Sequence, residues 1–332
     1  MDISLIWAVL IAIGVLLYIV LDGFDLGVGV LFAIYKEEHD RDIMVNSIAP
    51  VWDGNETWLI FGGAALFAAF PIVYSVALSA LYLPIVFMLV CLIFRGAAIE
   101  LRNRTQRYKH FWDLSFFIGS TGSALFQGII LGAWISGIPI ENSEYAGDPF
   151  DWLTPFSIFT GFGVVFTYAL LGCGWLLYRT EGELQKRLFN LALPLNTILL
   201  IIIAAVSIWS PIQMPTLVDR WFTLPNLFMF SPVPLLVAAT WLGMRYAIKK
   251  QHHLMPFLMT LALVVLGYAG LIISIWPNVI PPALTFWDAA APRSSQLFAL
   301  VGVAIVLPAV VAYTIYAYWV FRGKVKANDG YH

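Results

Sequence analysis

The sequence predicts an all-α polytopic membrane protein with nine transmembrane helices, on three observations. Of its 332 residues, 61% are hydrophobic and 11% charged, against about a quarter charged in a soluble domain. Apolar runs of ~20 residues, the length a helix needs to cross a bilayer, recur along the chain. Basic residues concentrate in every second loop. The net charge of -2 gives no footing for a nucleic-acid partner. No loop is long enough to fold alone, so residues 1–332 read as a single integral membrane domain.

The expected spans are 5–34, 51–71, 75–95, 113–137, 156–178, 188–209, 227–248, 254–276 and 296–321. The loops after spans one, three, five and seven, with the C-terminal tail, hold 16 of the 18 basic residues. Only Arg220 and Arg293 fall in the alternate loops. Basic loops stay in the cytoplasm, which predicts an N-terminus outside (periplasmic) and a C-terminus inside. The expected arrangement is two four-helix bundles plus one peripheral helix, although no internal repeat announces it. The start, MDISLIW, has no basic n-region, so no cleavable signal is expected. Cys91 and Cys173 lie within apolar runs and read as packing thiols.

Span one carries Asp22 and Asp25, three apart and so on one face. Acids at membrane depth are costly and mark function. Gly23 and Gly27 form a small-xxx-small pair that allows a neighbouring helix to approach closely. In span two the uninterrupted apolar run Trp58–Phe70 is only 13 residues. The helix must therefore recruit Trp52, Asp53, Asn55 and Glu56 to reach ~20 residues. Asn46 or Ser47 is the expected cap and Pro50 the expected first-turn residue. Asp53 and Glu56 admit two readings: helix-dipole acids, or proton carriers.

Arg95 ends span three and Asp113 opens span four. Here too two readings stand. Arg95 snorkels to the surface, or it anchors a buried acid cluster. Span four is rich in Ser and Gly, which suits a helix packed on other helices, and its Gln127 needs a partner near mid-membrane. His39, His110, His252, His253 and His332 all fall in loops or the tail, and Met88, Met229 and Met259 read as core filler. No redox centre is therefore expected in this chain. The residues alone leave two functional classes: a subunit of a larger redox complex, or a proton-coupled secondary transporter.

The segments LDGFDLGVGVL (21–31), NSIAPVWDGNETWLIFGGAALFAAFP (46–71), LIFRGAAIELR (92–102), FWDLSFFIGS (111–120), RTEGEL (179–184) and TFWDAAAPRSSQ (285–296) carry a family resemblance. The chain resembles subunit II of cytochrome bd-type ubiquinol oxidases, including the cyanide-insensitive branch. That resemblance implies a bacterial inner-membrane complex that oxidises ubiquinol and reduces O2 to water. It implies a partner subunit I holding two b-type haems and one d-type haem. In some members it implies a small single-helix subunit, and a structural ubiquinone. It also implies site roles. Asp53 of WDGN, assisted by Glu56, would carry protons from the cytoplasm. Asp25, Asp22, Arg95, Asp113, Trp52 and Asn55 would serve assembly or haem retention. Some relatives have Gln where Glu56 stands.

Overall fold

The computed structural model describes residues 2–102, 104–105 and 107–327, and it is mostly helical. His332 lies outside the described residues. The helices are α1 (Ile3–Leu31), α2 (Glu38–Ile48), α3 (Trp52–Ala69), α4 (Pro71–Arg102), α5 (Lys109–Ser136), α6 (Pro155–Arg179), α7 (Gly182–Gln213), α8 (Thr216–Phe222), α9 (Asn226–Phe230), α10 (Pro232–Lys249), α11 (Met255–Ile275) and α12 (Arg293–Val320). Two small antiparallel hairpins stand in the loops: β1 (Ile140–Glu141) with β2 (Glu144–Tyr145), and β3 (Asn278–Ile280) with β4 (Leu284–Thr285).

Among the described residues, eight helical segments are long and apolar enough to cross a membrane: α1, α4, α5, α6, α7, Asn226–Lys249, α11 and α12. The remaining expected span is α3. It is an 18-residue helix whose first two turns carry Asp53, Asn55 and Glu56.

Two sequence expectations are corrected. The stretch read as a plain loop with a cap contains α2. Glu38 and Asp40 in its first turn complement its dipole, and Met44, Val45 and Ile48 are buried. The Ser47 hydroxyl donates to the Met44 carbonyl at 2.7 Å, and the Asn46 amide donates to the Ala327 carbonyl at 3.1 Å. Neither residue caps α3, which starts after Val51 with no side-chain cap, and Pro50 lies in the turn outside it. The second correction is at α4, which runs two turns past Arg95 to Arg102. Arg95 is thus inside a helix, not at its end.

Packing is set by close approaches. The α1–α6 contact is made at Gly27, where an added Cβ would lie 1.8 Å from the Tyr168 carbonyl oxygen. The α4–α5 contact is made at Gly119, where a Cβ would come within 2.6 Å of the Cys91 carbonyl oxygen. Helices α1, α3, α4 and α5 pack together, as do α6, α7, α10 and α11, while α12 lies against α3 and α1. The two groups share a boundary, because α6 packs closely on α1 and α5. Met88 is buried, but Met229 is 70% exposed, so the expectation that it fills a core is wrong for that residue.

The C-terminal tail straps the basic end of the bundle. Arg179 Nη1 donates to the Phe321 carbonyl at 2.6 Å and Lys324 Nζ to the Thr180 carbonyl at 2.9 Å. The Val325 amide donates to the Arg179 carbonyl at 2.9 Å. Burial pushes the Lys324 ammonium below its ordinary value, so this tie weakens at high pH.

Gly27→Ala should destabilise the chain by about 2–3 kcal/mol, because two backbones must separate. Gly267→Ala, whose added Cβ meets nothing within 4 Å, should be neutral. Thermal denaturation in detergent compares the two.

Candidate functional site

The last third of α1 is almost wholly buried, and it takes Asp22 and Asp25 with it at 0% exposure. Their position follows from the glycines around them, which let α6 close over α1. A buried carboxylate needs a cation or hydrogen-bond donors. Asp22 has the cation: its Oδ1 lies 2.7 Å from Arg95 Nη2. The same nitrogen lies 3.1 Å from Glu56 Oε2. Arg95 is itself 0% exposed, which excludes the snorkelling reading. Its guanidinium carbon sits 5.5 Å from the centre of the half-buried Trp52 ring.

Asp25 has donors instead. Asn55 Nδ2 donates to Asp25 Oδ2 at 2.7 Å, and it also reaches the Leu21 carbonyl at 3.3 Å. The Tyr318 hydroxyl, from α12, donates to Asn55 Oδ1 at 2.9 Å. The Tyr318 ring is held edge-on by Phe24 and Trp175, with centroids 6.4 and 6.2 Å away.

A second chain of the same form stands one turn deeper. The Tyr168 hydroxyl donates to Gln127 Oε1 at 2.8 Å, and Gln127 Nε2 donates to the Tyr18 hydroxyl at 2.7 Å. Tyr18 precedes Asp22 by one helical turn. The mid-membrane partner that Gln127 requires is therefore a pair of tyrosines, both buried.

The structure does not bring all the expected site residues together. Asp53 is exposed on α3, outside the network, while Glu56 one turn on keeps 26% of its side chain exposed and reaches inward to Arg95. Asp113 belongs to a separate cluster. Its two oxygens accept from Arg102 Nε at 2.6 Å and Arg41 Nη1 at 2.8 Å. Arg102 Nη1 also meets Asp42 at 2.6 Å, and Arg41 donates to the Phe32 and Tyr35 carbonyls. This cluster clamps α2, α4, α5 and the end of α1. The sequence counted Arg41 and Arg102 only as loop charges and overlooked Tyr18, Tyr168 and Tyr318. Tyr18 had a signal, its i,i+4 spacing from Asp22. The other two tyrosines had none.

Among the described residues no three His, Cys, Asp or Glu side chains are grouped to hold a metal ion. The chemistry on offer is proton chemistry: two carboxyls share one guanidinium, a third stands beside them on α1, and Glu56 reaches the exposed face.

The model of the family described as cytochrome bd terminal oxidase subunit II matches residues 3–321. The chain is 31% identical over 368 residues to cytochrome bd-I ubiquinol oxidase subunit 2 of Escherichia coli (strain K12), covering 98% of this chain and 95% of that one. It is 29% identical over 333 residues to cytochrome bd ubiquinol oxidase subunit 2 of Bacillus subtilis (strain 168), covering 97% of each. The fold matches the structure of bd oxidase from Geobacillus thermodenitrificans with a TM-score of 0.76 at 16% identity, over 97% of this chain and 99% of that one. Membrane-length helices, a buried acid–arginine cluster and a family match from end to end thus converge: the chain belongs to the cytochrome bd terminal oxidase subunit II family.

Proposed function

We propose that this chain is the haem-free subunit II of a bd-type quinol oxidase in the bacterial inner membrane. It crosses the membrane nine times as one domain, with its basic end in the cytoplasm. It supports the haem-bearing subunit I and supplies protons for oxygen reduction through Asp53 and Glu56. The observation that carries this reading is the step from Asp53, exposed in the first turn of α3, to Glu56, half-inserted and bonded to buried Arg95. An exposed carboxyl one turn from a buried cluster is a place for protons to be taken up and handed on.

Asp25, Asp22, Arg95, Trp52 and Asn55 tie α1, α3 and α4 together and serve assembly, as does Asp113 through its own cluster. The two b-type haems and the d-type haem belong to the partner. Among the described residues, His39, His110, His252 and His253 are all exposed, which supports placing the haems in the partner. An open cleft of about 540 Å³ is lined by Ala68, Ser294, Ser295, Phe298 and Ala299. The transporter reading is not favoured, since the family is that of an oxidase subunit.

Asp53→Asn should lower quinol oxidase turnover and proton uptake by about tenfold or more in an assembled enzyme with its full haem absorbance. Unchanged turnover would remove Asp53 from the path. Asp113→Asn should cost about 3 kcal/mol by removing the carboxylate that Arg102 and Arg41 share. It should be read as loss of haem-bearing complex during purification, with normal turnover per haem in what survives.

A further inference from the structure

We propose that Asp22 and Asp25 form a buried proton store that fills and empties through Glu56 alone. This rests on the reading of the chain as a proton supplier, and it adds what the acid pair does and what bounds it.

Asp22 and Glu56 share one guanidinium, and Asp25, three residues on from Asp22 in α1, has a carboxamide in place of a cation. Charge neutrality in the membrane interior therefore leaves protons residing on the acids. Two approaches to the pair pass through a carboxamide. From α12, the order is Tyr318 hydroxyl, Asn55 amide, Asp25. From α6 and α5, it is Tyr168 hydroxyl, Gln127 amide, then Tyr18 beside Asp22. In both, the hydrogen bonds run towards the acids. An amide accepts at its oxygen and donates from its nitrogen, but it does not pass a proton between them at ordinary pH. Each chain stabilises charge on its acid and blocks proton flow. The block matters on the α12 side. There a cavity of about 10 Å³, the size of one water, adjoins Gly54, Asn55, Tyr313 and Tyr318.

Glu56 is different. It shares Arg95 Nη2 with Asp22, which sets the two carboxyls side by side. It also keeps a quarter of its side chain exposed, while Asp22 and Arg95 are at 0%. Asp22 Oδ2, Asp25 Oδ1 and Arg95 Nη1 are buried and have no protein partner. Buried polar atoms of this kind are satisfied by ordered water, and in this proposal one such water lies between the two carboxyls. The step is a proton transfer. The Glu56 O–H bond breaks, an Asp22 O–H bond forms, and the intervening water gives up one proton as it accepts another. No electron moves. The charged and titratable groups around the pair are Tyr18 on α1, Glu56 and Asp53 on α3, Arg95 on α4, Tyr168 on α6 and Tyr318 on α12. Of these, Glu56 is the carboxyl that both touches the cluster and reaches the exposed face.

The experiment is infrared spectroscopy of the whole purified oxidase, grown with carbon-13-labelled aspartate so that aspartic carboxyl bands are separated from glutamic ones. On transfer to D2O, the rate at which the buried aspartic band shifts reports exchange of the store. In Glu56→Gln, whose amide oxygen still accepts from Arg95, exchange should slow by on the order of a hundredfold. Adding Asn55→Asp to that variant should restore it, because a carboxyl then replaces the insulating amide beside the water-sized cavity. Asn55→Asp alone should exchange faster than wild type, which keeps the test open if Glu56→Gln does not assemble. Wild-type exchange in Glu56→Gln, or no acceleration by Asn55→Asp, overturns the proposal. Turnover is measured on the same samples. Slowed exchange with unchanged turnover keeps the store and instead breaks its link to oxygen reduction.

Discussion

A single guanidinium nitrogen holds the inner structure of this protein in register. Arg95 Nη2 binds Asp22 from α1 and Glu56 from α3 while riding on α4. Each charge costs about 3 kcal/mol to place at the centre of a membrane helix, and breaking such a pair strands what remains. The three helices therefore have one low-energy arrangement, with their charges joined. The small residues nearby follow from that constraint. Gly119 lets α5 press against the turn before Arg95, and Gly27 lets α6 close over the acids. Bulk at either place would part the helices and hydrate the pair.

Around this centre the acids divide by environment more than by sequence position. Asp22 has a cation, Asp25 has only a carboxamide, Glu56 spans the boundary and Asp53 stands outside. Asp113 is as well satisfied as any of them, yet it belongs to a mechanical clamp on other elements. The two charge clusters thus stand apart on the same end of the bundle. The Arg95 cluster sits where a carboxyl still reaches the surface. The Arg102 cluster fastens the connection between α1 and α4.

Much of this was legible in the sequence. Apolar length found the membrane-length helices, and the depth of Asp22 and Asp25 marked the site. The errors have physical causes. α2 is short and polar, so hydropathy passes over it, and its Asn46 and Ser47 look like caps for the next helix. Arg95 looked terminal because hydropathy falls there. The helix nonetheless continues through Ala97, Ala98 and Ile99, of which Ala98 and Ile99 are buried. Tyr318 could not have been found, since it meets Asn55 across 263 residues of sequence. Nothing local to either residue predicts the contact.

The link from Tyr318 to Asn55 to Asp25 also has a bearing on how the protein is made. Asp25 is in α1 and Tyr318 is in α12, so synthesis makes the acid well before the tyrosine. The chain threads into the lipid with Asp25 early and the hydroxyl that satisfies its carboxamide partner late. Until α12 arrives and the tail fastens across α6 and α2, Asn55 has its amide on Asp25 but no donor for its own oxygen. Asn55 therefore completes its hydrogen bonding only once α12 has been inserted. A truncated or stalled product would carry an unfinished polar core within the bilayer, a mark by which quality control could tell it from the finished subunit.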